Sequence, residues 1–254
     1  MQPNNLKQKL NKGGSALGPF LKLTDPAVVE ICAAAGFDFV IIDTEHGPYS
    51  IETVQNFIRA AESKNITSII RVPENAPHYI LRALDIGAQG VQVPQISTKI
   101  DAEQAVSAAK FHPHGDRGVC RYVRAGGYSS ADRNEHFTSS NEETMVIVHI
   151  EGIEGVENLP DILTVERLDV IFLGPYDLSQ SCGVPGQVDH PSVVEKMEEA
   201  VRISREAGVA VGTFVESPEG AKKWRDIGVQ YLSYAVDAGI FYNACAAIVR
   251  EASE

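Results

Sequence analysis

Residues 36–48 read GFDFVIIDTEHGP, and this stretch decides the fold. The run Phe37–Ile42 is apolar at every position except Asp38, a pattern typical of a parallel strand with both faces buried. A helix-like segment that ends at Gly36 precedes the run, and the polar residues 43–46 follow it directly. Helix, terminal glycine, buried strand and polar loop form one repeat of an α/β protein.

The same order recurs along the chain, with Gly36, Gly87, Gly208 and Gly228 at the ends of four helix-like segments. The predicted strands are Ala16–Leu21, Phe37–Ile42, Thr67–Val72, Gly90–Val93, Thr144–Ile150, Leu168–Leu173, Val209–Phe214 and Gln230–Tyr234. Eight such strands alternating with helices predict a (β/α)8 TIM barrel. The 254 residues suffice for one barrel domain over 1–254.

Three segments fall outside this repeat. Residues 1–15 are polar and are expected to form an N-terminal extension, and 111–141 are rich in His, Arg, Gly and Ser. The length of 111–141 predicts a functional loop with one short helix, covering the barrel mouth. In 236–252, Ile240, Phe241 and Ile248 share one helical face, which needs either the barrel wall or a second subunit to cover it.

The composition excludes several classes of partner. The chain has 34 acidic and 22 basic residues, and its net charge of −12 disfavours nucleic acid and anionic membrane surfaces. No apolar run approaches the roughly 18 residues of a membrane span. The four cysteines lie far apart with no C-x-x-C motif, which predicts reduced thiols in the cytoplasm.

In a TIM barrel the active site lies at the carboxyl ends of the strands. Glu151 and Asp177 follow the neighbouring fifth and sixth strands and could reach one cation. Two hard oxygen ligands, with water and substrate at the other positions, suit Mg²⁺ or Mn²⁺, with Co²⁺ as a third option. Both carboxylates could equally cap helices, so the pair alone leaves the metal open.

Charged residues also follow the second and third strands. Arg71 needs an anion, which is either a reaction oxyanion or a salt-bridge partner such as Asp43 or Glu45. Asp43 and His46 are three residues apart, a spacing that allows a carboxylate to orient an imidazole for acid/base work. A solvated His46 is the alternative.

Two further strand ends offer substrate contacts. Gly174-Pro175-Tyr176 begins a helix whose backbone N–H groups could hold a substrate carboxylate. Lys22 at the end of the first strand could form a Schiff base with a ketoacid, or could point to solvent beside Asp25.

Taken in order, these stretches resemble the motifs of the HpcH/HpaI aldolase family. They are DTEHGP at 43–48, RVP at 71–73, ALDIGAQGVQVP at 83–94, GDRG at 115–118, IE at 150–151 and GPYDLS at 174–179. The family comprises metal-dependent pyruvate aldolases, including 4-hydroxy-2-oxoheptanedioate aldolases and sugar-acid relatives such as 2-dehydro-3-deoxyglucarate aldolases. The resemblance covers nearly the whole chain.

The resemblance implies an aldehyde-lyase that forms or cleaves 4-hydroxy-2-oxo acids from pyruvate and an aldehyde. Its implied site comprises Glu151 and Asp177 as metal ligands, Arg71 as the enolate-stabilising cation, Asp43 with His46 as the acid/base dyad, and Glu45 as a supporting residue. It also implies a homo-oligomer in which paired barrels exchange their last helix and assemble into hexamers.

Two positions depart from the family pattern. His149 stands two residues before Glu151, where close relatives commonly have glutamine. Strand alternation places both side chains on one barrel face, so His149 is expected to be a neutral group that positions substrate rather than a third ligand. Arg124 resembles the substrate-binding arginine of the sugar-acid aldolases, whereas Arg121 stands where smaller residues are common. Because these departures fall where the aldehyde should bind, the identity of the aldehyde substrate is not determined by the resemblance.

Three other functions fit parts of the pattern. An acyl-CoA lyase of the citrate-lyase type would use the same barrel, but no cluster of Lys and Arg is evident for the nucleotide phosphates. A Schiff-base aldolase would use Lys22 and need no metal. A non-enzymatic binding barrel would need no complete set of carboxylates, arginine and histidine.

Overall fold

Eight parallel strands close into a barrel in chain order in the computed structural model, which describes residues 2–130 and 132–253. The strands are β1 Ala16–Leu21, β2 Phe39–Asp43, β3 Thr67–Arg71, β4 Gly90–Val93, β5 Met145–Ile150, β6 Val170–Leu173, β7 Ala210–Val215 and β8 Tyr231–Val236. The helices are α1 Asn5–Asn11, α2 Ala27–Ala35, α3 Ile51–Lys64, α4 Pro77–Asp85, α5 Lys99–Ala109, a 3-10 helix Arg124–Ser129, α6 Arg133–Glu143, α7 Ile153–Glu157, α8 Leu159–Ile162, α9 Pro175–Ser181, α10 Pro191–Glu206, α11 Pro218–Ile227 and α12 Asp237–Ala252. The predicted TIM barrel is confirmed.

Strand alternation separates the core into two parts, as β2 illustrates. Phe39 and Ile41 belong to the cluster inside the barrel, whereas Val40 and Ile42 pack outward against the helices. Because side chains alternate along a strand, Asp43 continues the inward row at the carboxyl end of β2. The buried strand thus aims a carboxylate into the barrel mouth.

The segment predicted as a polar extension contains a helix that packs on the barrel. Leu6 and Leu10 of α1 are buried and belong to the interior cluster. The Asn4 side chain, fully buried, donates hydrogen bonds to the carbonyls of Gln89 and Glu143, both at 2.9 Å. Leu6 and Leu10 are four apart and share one helical face. The first residues therefore help to close the amino end of the barrel.

The prediction that 111–141 covers the barrel mouth is wrong. This segment follows α5 and precedes β5, and a connection from a helix to the next strand lies at the amino end of a TIM barrel. Its contacts agree: Arg117 donates to Asp85 at 2.8 Å, and Arg124 pairs with Glu62 and donates to the Ile86 carbonyl at 3.1 Å. It contains the 3-10 helix and most of α6, not one short helix.

The last helix leaves its apolar residues uncovered in the single chain. Phe241 and Tyr242 are 66% and 70% exposed, and Ile248 and Val249 are 66% and 65% exposed. At the start of the helix, the buried Asp237 accepts the backbone N–H groups at the end of β1. The helix is anchored at this end, and the barrel wall does not cover its predicted apolar face.

Two sequence expectations concern the chain as a whole. Within 2–130 and 132–253, no helix combines the length and apolar character that a membrane crossing requires. The cysteines Cys32, Cys120, Cys182 and Cys245 are free thiols.

Candidate active site

A cavity of about 240 Å³ opens at the carboxyl end of the barrel. It is lined by Phe20, Lys22, Arg71, His149, Glu151, Phe172, Gly174, Pro175, Tyr176, Asp177, Phe214, Glu216 and Val236. A larger cavity of about 730 Å³ lies at the amino end beside Leu10 and Gln230, away from the predicted site residues. The smaller cavity is the candidate site because the predicted site residues Arg71, Glu151 and Asp177 line it.

Arg71 lies between two carboxylates. Its Nε and Nη2 donate to the two oxygens of the fully buried Asp43, at 2.8 and 2.7 Å, and its Nη1 is 2.9 Å from Glu45 Oε2. Burial alone would raise the pKa of Asp43, but the hydrogen bonds and charge of Arg71 outweigh it and hold that pKa below its ordinary value. Burial raises the pKa of Glu45 in spite of the same arginine. The salt bridges suggested for Arg71 are therefore present in the structure.

The predicted contact between the Asp43 carboxylate and the His46 imidazole is not made. Asp43 Oδ1 accepts the backbone N–H groups of Glu45 and His46, both at 3.2 Å. The His46 imidazole is exposed at the mouth and has no hydrogen-bond partner in the part of the chain that the structure describes. Asp43 thus holds the turn after β2 and the Arg71 guanidinium in place. Arg71, and not the His46 imidazole, occupies both oxygens of Asp43.

The two predicted metal ligands face one cavity. Glu151 Oε1 accepts the Gln95 N–H at 2.8 Å, and Oε2 lies 3.1 Å from His149 Nδ1. Burial alone would raise the pKa of Glu151, but these hydrogen bonds lower it below its ordinary value. A Cβ at Gly174 would lie 2.9 Å from Glu151 Oε2, so glycine is required where α9 begins.

Asp177 lies in the first turn of α9 and is exposed. Its carboxylate makes no hydrogen bond or ion pair with any described residue and does not cap the helix, which leaves both oxygens open to the cavity. No group of three or more Asp, Glu, His or Cys side chains placed to hold a metal occurs among the described residues. Two carboxylates with open positions fit a hard divalent cation that keeps water and substrate as its other ligands.

His149 lies inside the barrel, 1% exposed, on the same face as Glu151 as predicted. Its ring stacks on Phe172 with centroids 4.5 Å apart, and its Nε2 is 2.5 Å from Gln92 Nε2. The Tyr231 hydroxyl donates to Gln92 Oε1 at 2.9 Å. Sequence reasoning missed Gln92 and Tyr231. A polar residue within the short apolar strand β4 was the available signal for Gln92.

A second polar contact in the cavity joins residues that follow β6 and β7. The Tyr176 hydroxyl donates to Glu216 Oε2 at 2.5 Å, and this bond raises the pKa of Tyr176 to about 12. Phe214 packs edge-on against Tyr176 with ring centroids 6.1 Å apart. Sequence reasoning also missed Glu216, although its place directly after β7 matches that of the other site residues.

The remaining predicted residues divide between the two ends of the barrel. Gly174, Pro175 and Tyr176 line the cavity, as does Lys22, whose Nζ lies 3.5 Å from Asp43 Oδ2. Arg124 belongs to the amino end, with its guanidinium on Glu62. The structure does not bring it to the cavity of its own chain.

Comparison with known proteins finds relatives that match nearly the whole chain. The model of the HpcH/HpaI aldolase/citrate lyase family matches residues 16–244. A 4-hydroxy-2-oxo-heptane-1,7-dioate aldolase of Shigella sonnei is 33% identical, with 96% of this chain and 93% of that protein covered. A 2-keto-3-deoxy-L-rhamnonate aldolase of Escherichia coli is also 33% identical, with 95% and 90% covered. The crystal structure of an HpcH/HpaI aldolase/citrate lyase family protein from Burkholderia cenocepacia superimposes with a TM-score of 0.94 at 32% identity, covering 99% of this chain and 100% of the other. The chain therefore belongs to the HpcH/HpaI aldolase/citrate lyase family.

Proposed function

We propose that this protein is a metal-dependent aldolase that forms and cleaves 4-hydroxy-2-oxo acids, with pyruvate and an aldehyde as the two halves. One observation carries the proposal: Glu151, Asp177 and Arg71 line a single cavity at the carboxyl end of the barrel. The two aldolases at 33% identity, whose names describe cleavage of 2-oxo acids, support the same reaction class.

Glu151 and Asp177 would hold a divalent cation, Mg²⁺ or Mn²⁺ by the hardness of their oxygens, with Co²⁺ as a third option. When bound, such a cation acts as a Lewis acid that stabilises negative charge on the 2-oxo oxygen of pyruvate.

Arg71 supplies a fixed positive charge beside the same atoms. Two of its five N–H groups are used on Asp43, and Nη1 faces Glu45. The remaining N–H groups are free for the oxygen that becomes negative as a methyl proton leaves pyruvate. The backbone N–H groups of Tyr176 and Asp177, in the first turn of α9, are available for the pyruvate carboxylate.

We assign to His46 the transfer of the proton on the C4 hydroxyl group of the 4-hydroxy-2-oxo acid. In cleavage its imidazole, directly or through one water, removes that proton while the C3–C4 bond breaks and an aldehyde leaves. In synthesis the same nitrogen returns the proton to the alkoxide that forms when the enolate carbon attacks the aldehyde. The imidazole is exposed at the mouth and has no hydrogen-bond partner within residues 2–130 and 132–253, which supports this assignment.

Assembly from several identical chains is part of the proposal. The exposed apolar residues of α12 support it, because a surface of this kind is normally covered by a partner. Exchange of α12 between paired barrels and a hexamer are the assembly we infer. A cytoplasmic location is supported by the free cysteines.

The proposal is tested by following pyruvate release from a 4-hydroxy-2-oxo acid. Activity should disappear with a chelator and return with Mg²⁺ or Mn²⁺. Borohydride added with pyruvate should leave Lys22 unlabelled, whereas a labelled Lys22 peptide would indicate the Schiff-base mechanism. Cleavage of an acyl-CoA substrate with no cleavage of any hydroxy-oxo acid would contradict the proposal.

A further inference from the structure

A chain of four polar side chains crosses the apolar interior of the barrel. Tyr231 of β8 bonds to Gln92 of β4, Gln92 contacts His149 of β5, and His149 contacts Glu151 at the cavity. Gln92 and Tyr231 are 0% exposed, so substrate does not reach either side chain. Because β4 and β8 face each other across the closed barrel, this chain connects opposite walls.

The carboxylate at the end of the chain sets the direction of every hydrogen bond. Ionised Glu151 only accepts, so the facing nitrogen, His149 Nδ1, must carry a proton. In neutral His149 the other nitrogen, Nε2, then accepts, and the Gln92 amide donates to it. Gln92 Oε1 is left facing Tyr231, whose hydroxyl is the donor.

The reverse arrangement fails at one end or the other. If the Gln92 amide were flipped, its oxygen would face His149 Nε2, which would then have to carry the ring proton. A neutral ring would therefore leave Nδ1 without a proton, and its lone pair would face the Glu151 carboxylate 3.1 Å away. A doubly protonated ring would avoid that clash, but the Gln92 amide would then donate to Tyr231. The buried hydroxyl proton would lose its acceptor, which is costly in an apolar interior.

We propose that Tyr231 and Gln92 are positioning residues that hold the Glu151 carboxylate in place through the Nδ1-protonated tautomer of His149. One carboxylate oxygen is held by the Gln95 N–H and the other by His149, so rotation of the group is opposed on both sides. Held in this way, Glu151 would present its remaining lone pairs to a cation in the cavity. Partners that orient a metal ligand in this way commonly affect metal affinity about 10- to 100-fold. This inference rests on the proposed function, because it assigns Glu151 to a cation.

Three variants test the inference. Tyr231→Phe removes only the hydroxyl and keeps the ring, which stacks on Phe39 with centroids 4.3 Å apart. Gln92→Met keeps the length and removes both polar atoms. Tyr234→Phe is the matched control on the same strand, because the structure gives the Tyr234 hydroxyl no partner among the residues it describes.

The first readout is Mn²⁺ affinity, measured by calorimetry without substrate. We expect Tyr231→Phe and Gln92→Met each to weaken Mn²⁺ binding about tenfold or more, and Tyr234→Phe to leave it unchanged. The second readout is the ¹⁵N spectrum of His149 in the metal-free protein near neutral pH. The wild-type ring should carry its proton on Nδ1, and Tyr231→Phe should mix the two tautomers.

Unchanged Mn²⁺ affinity in both Tyr231→Phe and Gln92→Met would overturn the inference and leave the proposed function standing. A wild-type ring protonated on Nε2 would overturn it as well. Failure of the wild-type protein to bind Mn²⁺ at all would overturn the proposed function, and this inference with it. Thermal unfolding of each variant identifies a loss of affinity that comes from a loss of fold.

Discussion

The salt bridges of Arg71 are compatible with the oxyanion role that we propose for the same side chain. Its guanidinium bonds to Asp43 and contacts Glu45, and the Arg71 side chain also lines the cavity. The paired carboxylates fix the plane of the fork, and a fixed donor stabilises a developing charge without reorganising. The salt bridges would thus preorganise Arg71 for the oxyanion role that we propose for it.

We expect Arg71→Lys to slow exchange of the pyruvate methyl protons by roughly one to three orders of magnitude, because a lysine cannot hold Asp43 and an oxyanion together. Mn²⁺ affinity should change little. Proton NMR in D₂O and calorimetry measure the two effects, with Arg59→Lys on the exposed face of α3 as the control. An unaffected exchange rate would make Arg71 purely structural.

Glu216 should influence which aldehyde is accepted. Its carboxylate lines the same cavity as Glu151, where it would repel an aldehyde that carries a negative charge. Glu216→Gln should raise kcat/KM for a carboxylate-bearing aldehyde, relative to a neutral hydroxyaldehyde, roughly fivefold. Steady-state aldol addition with both aldehydes measures this ratio. A ratio equal to that of the wild type would exclude an electrostatic role for Glu216, and pyruvate exchange should not change.

At the scale of the elements, the strands were predictable and the long connection was not. The apolar runs locate every strand of the barrel within two residues, and the residues after the runs include most of the cavity lining. To predict at which end of the barrel 111–141 lies, one must first recognise that a helix, α5, precedes this segment. Helix α5 is rich in alanine and has only a weak amphipathic pattern, so the sequence gives little sign of it. Contacts across the barrel, such as Tyr231 with Gln92, join strands four apart in the closed order and leave no local signal.

Lys110, just after α5, gives this connection a pH-dependent stability. Its Nζ, in a side chain 1% exposed, donates to the carbonyls of Asn141 and Thr144 at 2.8 and 2.6 Å. Burial lowers its pKa from 10.5 to about 8. Between these values the unfolded chain binds more protons than the native one, so the contribution of Lys110 to stability rises as the pH increases.

Relative to Lys110→Met, the wild-type protein should therefore gain about 1 to 3 kcal/mol of unfolding free energy between pH 8 and pH 10.5. Urea unfolding at pH 8 and at pH 10.5 measures the gain. The quantity to compare is the change in unfolding free energy with pH, because the variant also loses two hydrogen bonds at every pH. Lys99→Met, on the exposed surface of α5, should run parallel to the wild type. Parallel curves for Lys110→Met would refute the lowered pKa.

The whole molecule is a barrel with the candidate site at its carboxyl end and with exposed apolar side chains on its last helix. Helix α1 packs on the barrel interior at the amino end, where Arg117 and Arg124 contact the ends of α4 and α3. Two-thirds of each of Phe241 and Ile248 remains exposed on α12. The chain is strongly acidic, with a net charge of −12, yet it exposes these large apolar side chains. We therefore expect them to be buried against another copy of the chain.

We expect the double variant Phe241→Glu/Ile248→Glu to lower the mass of the assembly to that of a smaller species or one chain, because charges replace the apolar contact. Asn243→Glu, on the same exposed helix, is the control for added charge alone. Size-exclusion chromatography with light scattering measures the mass. A wild-type protein that is monomeric, or a double variant with the wild-type mass, would refute the assembly through α12.

We propose that Glu151 and Asp177 hold the cation that makes pyruvate acidic, and the exchange of pyruvate methyl protons in D₂O tests this role without knowledge of the aldehyde. The wild-type protein should exchange these protons with Mn²⁺ present and stop when the metal is chelated. Glu151→Gln and Asp177→Asn should each lose about a hundredfold or more, since several kcal/mol of charge stabilisation depend on the cation. Exchange that persists at the wild-type rate after chelation, or in both variants, would contradict the account.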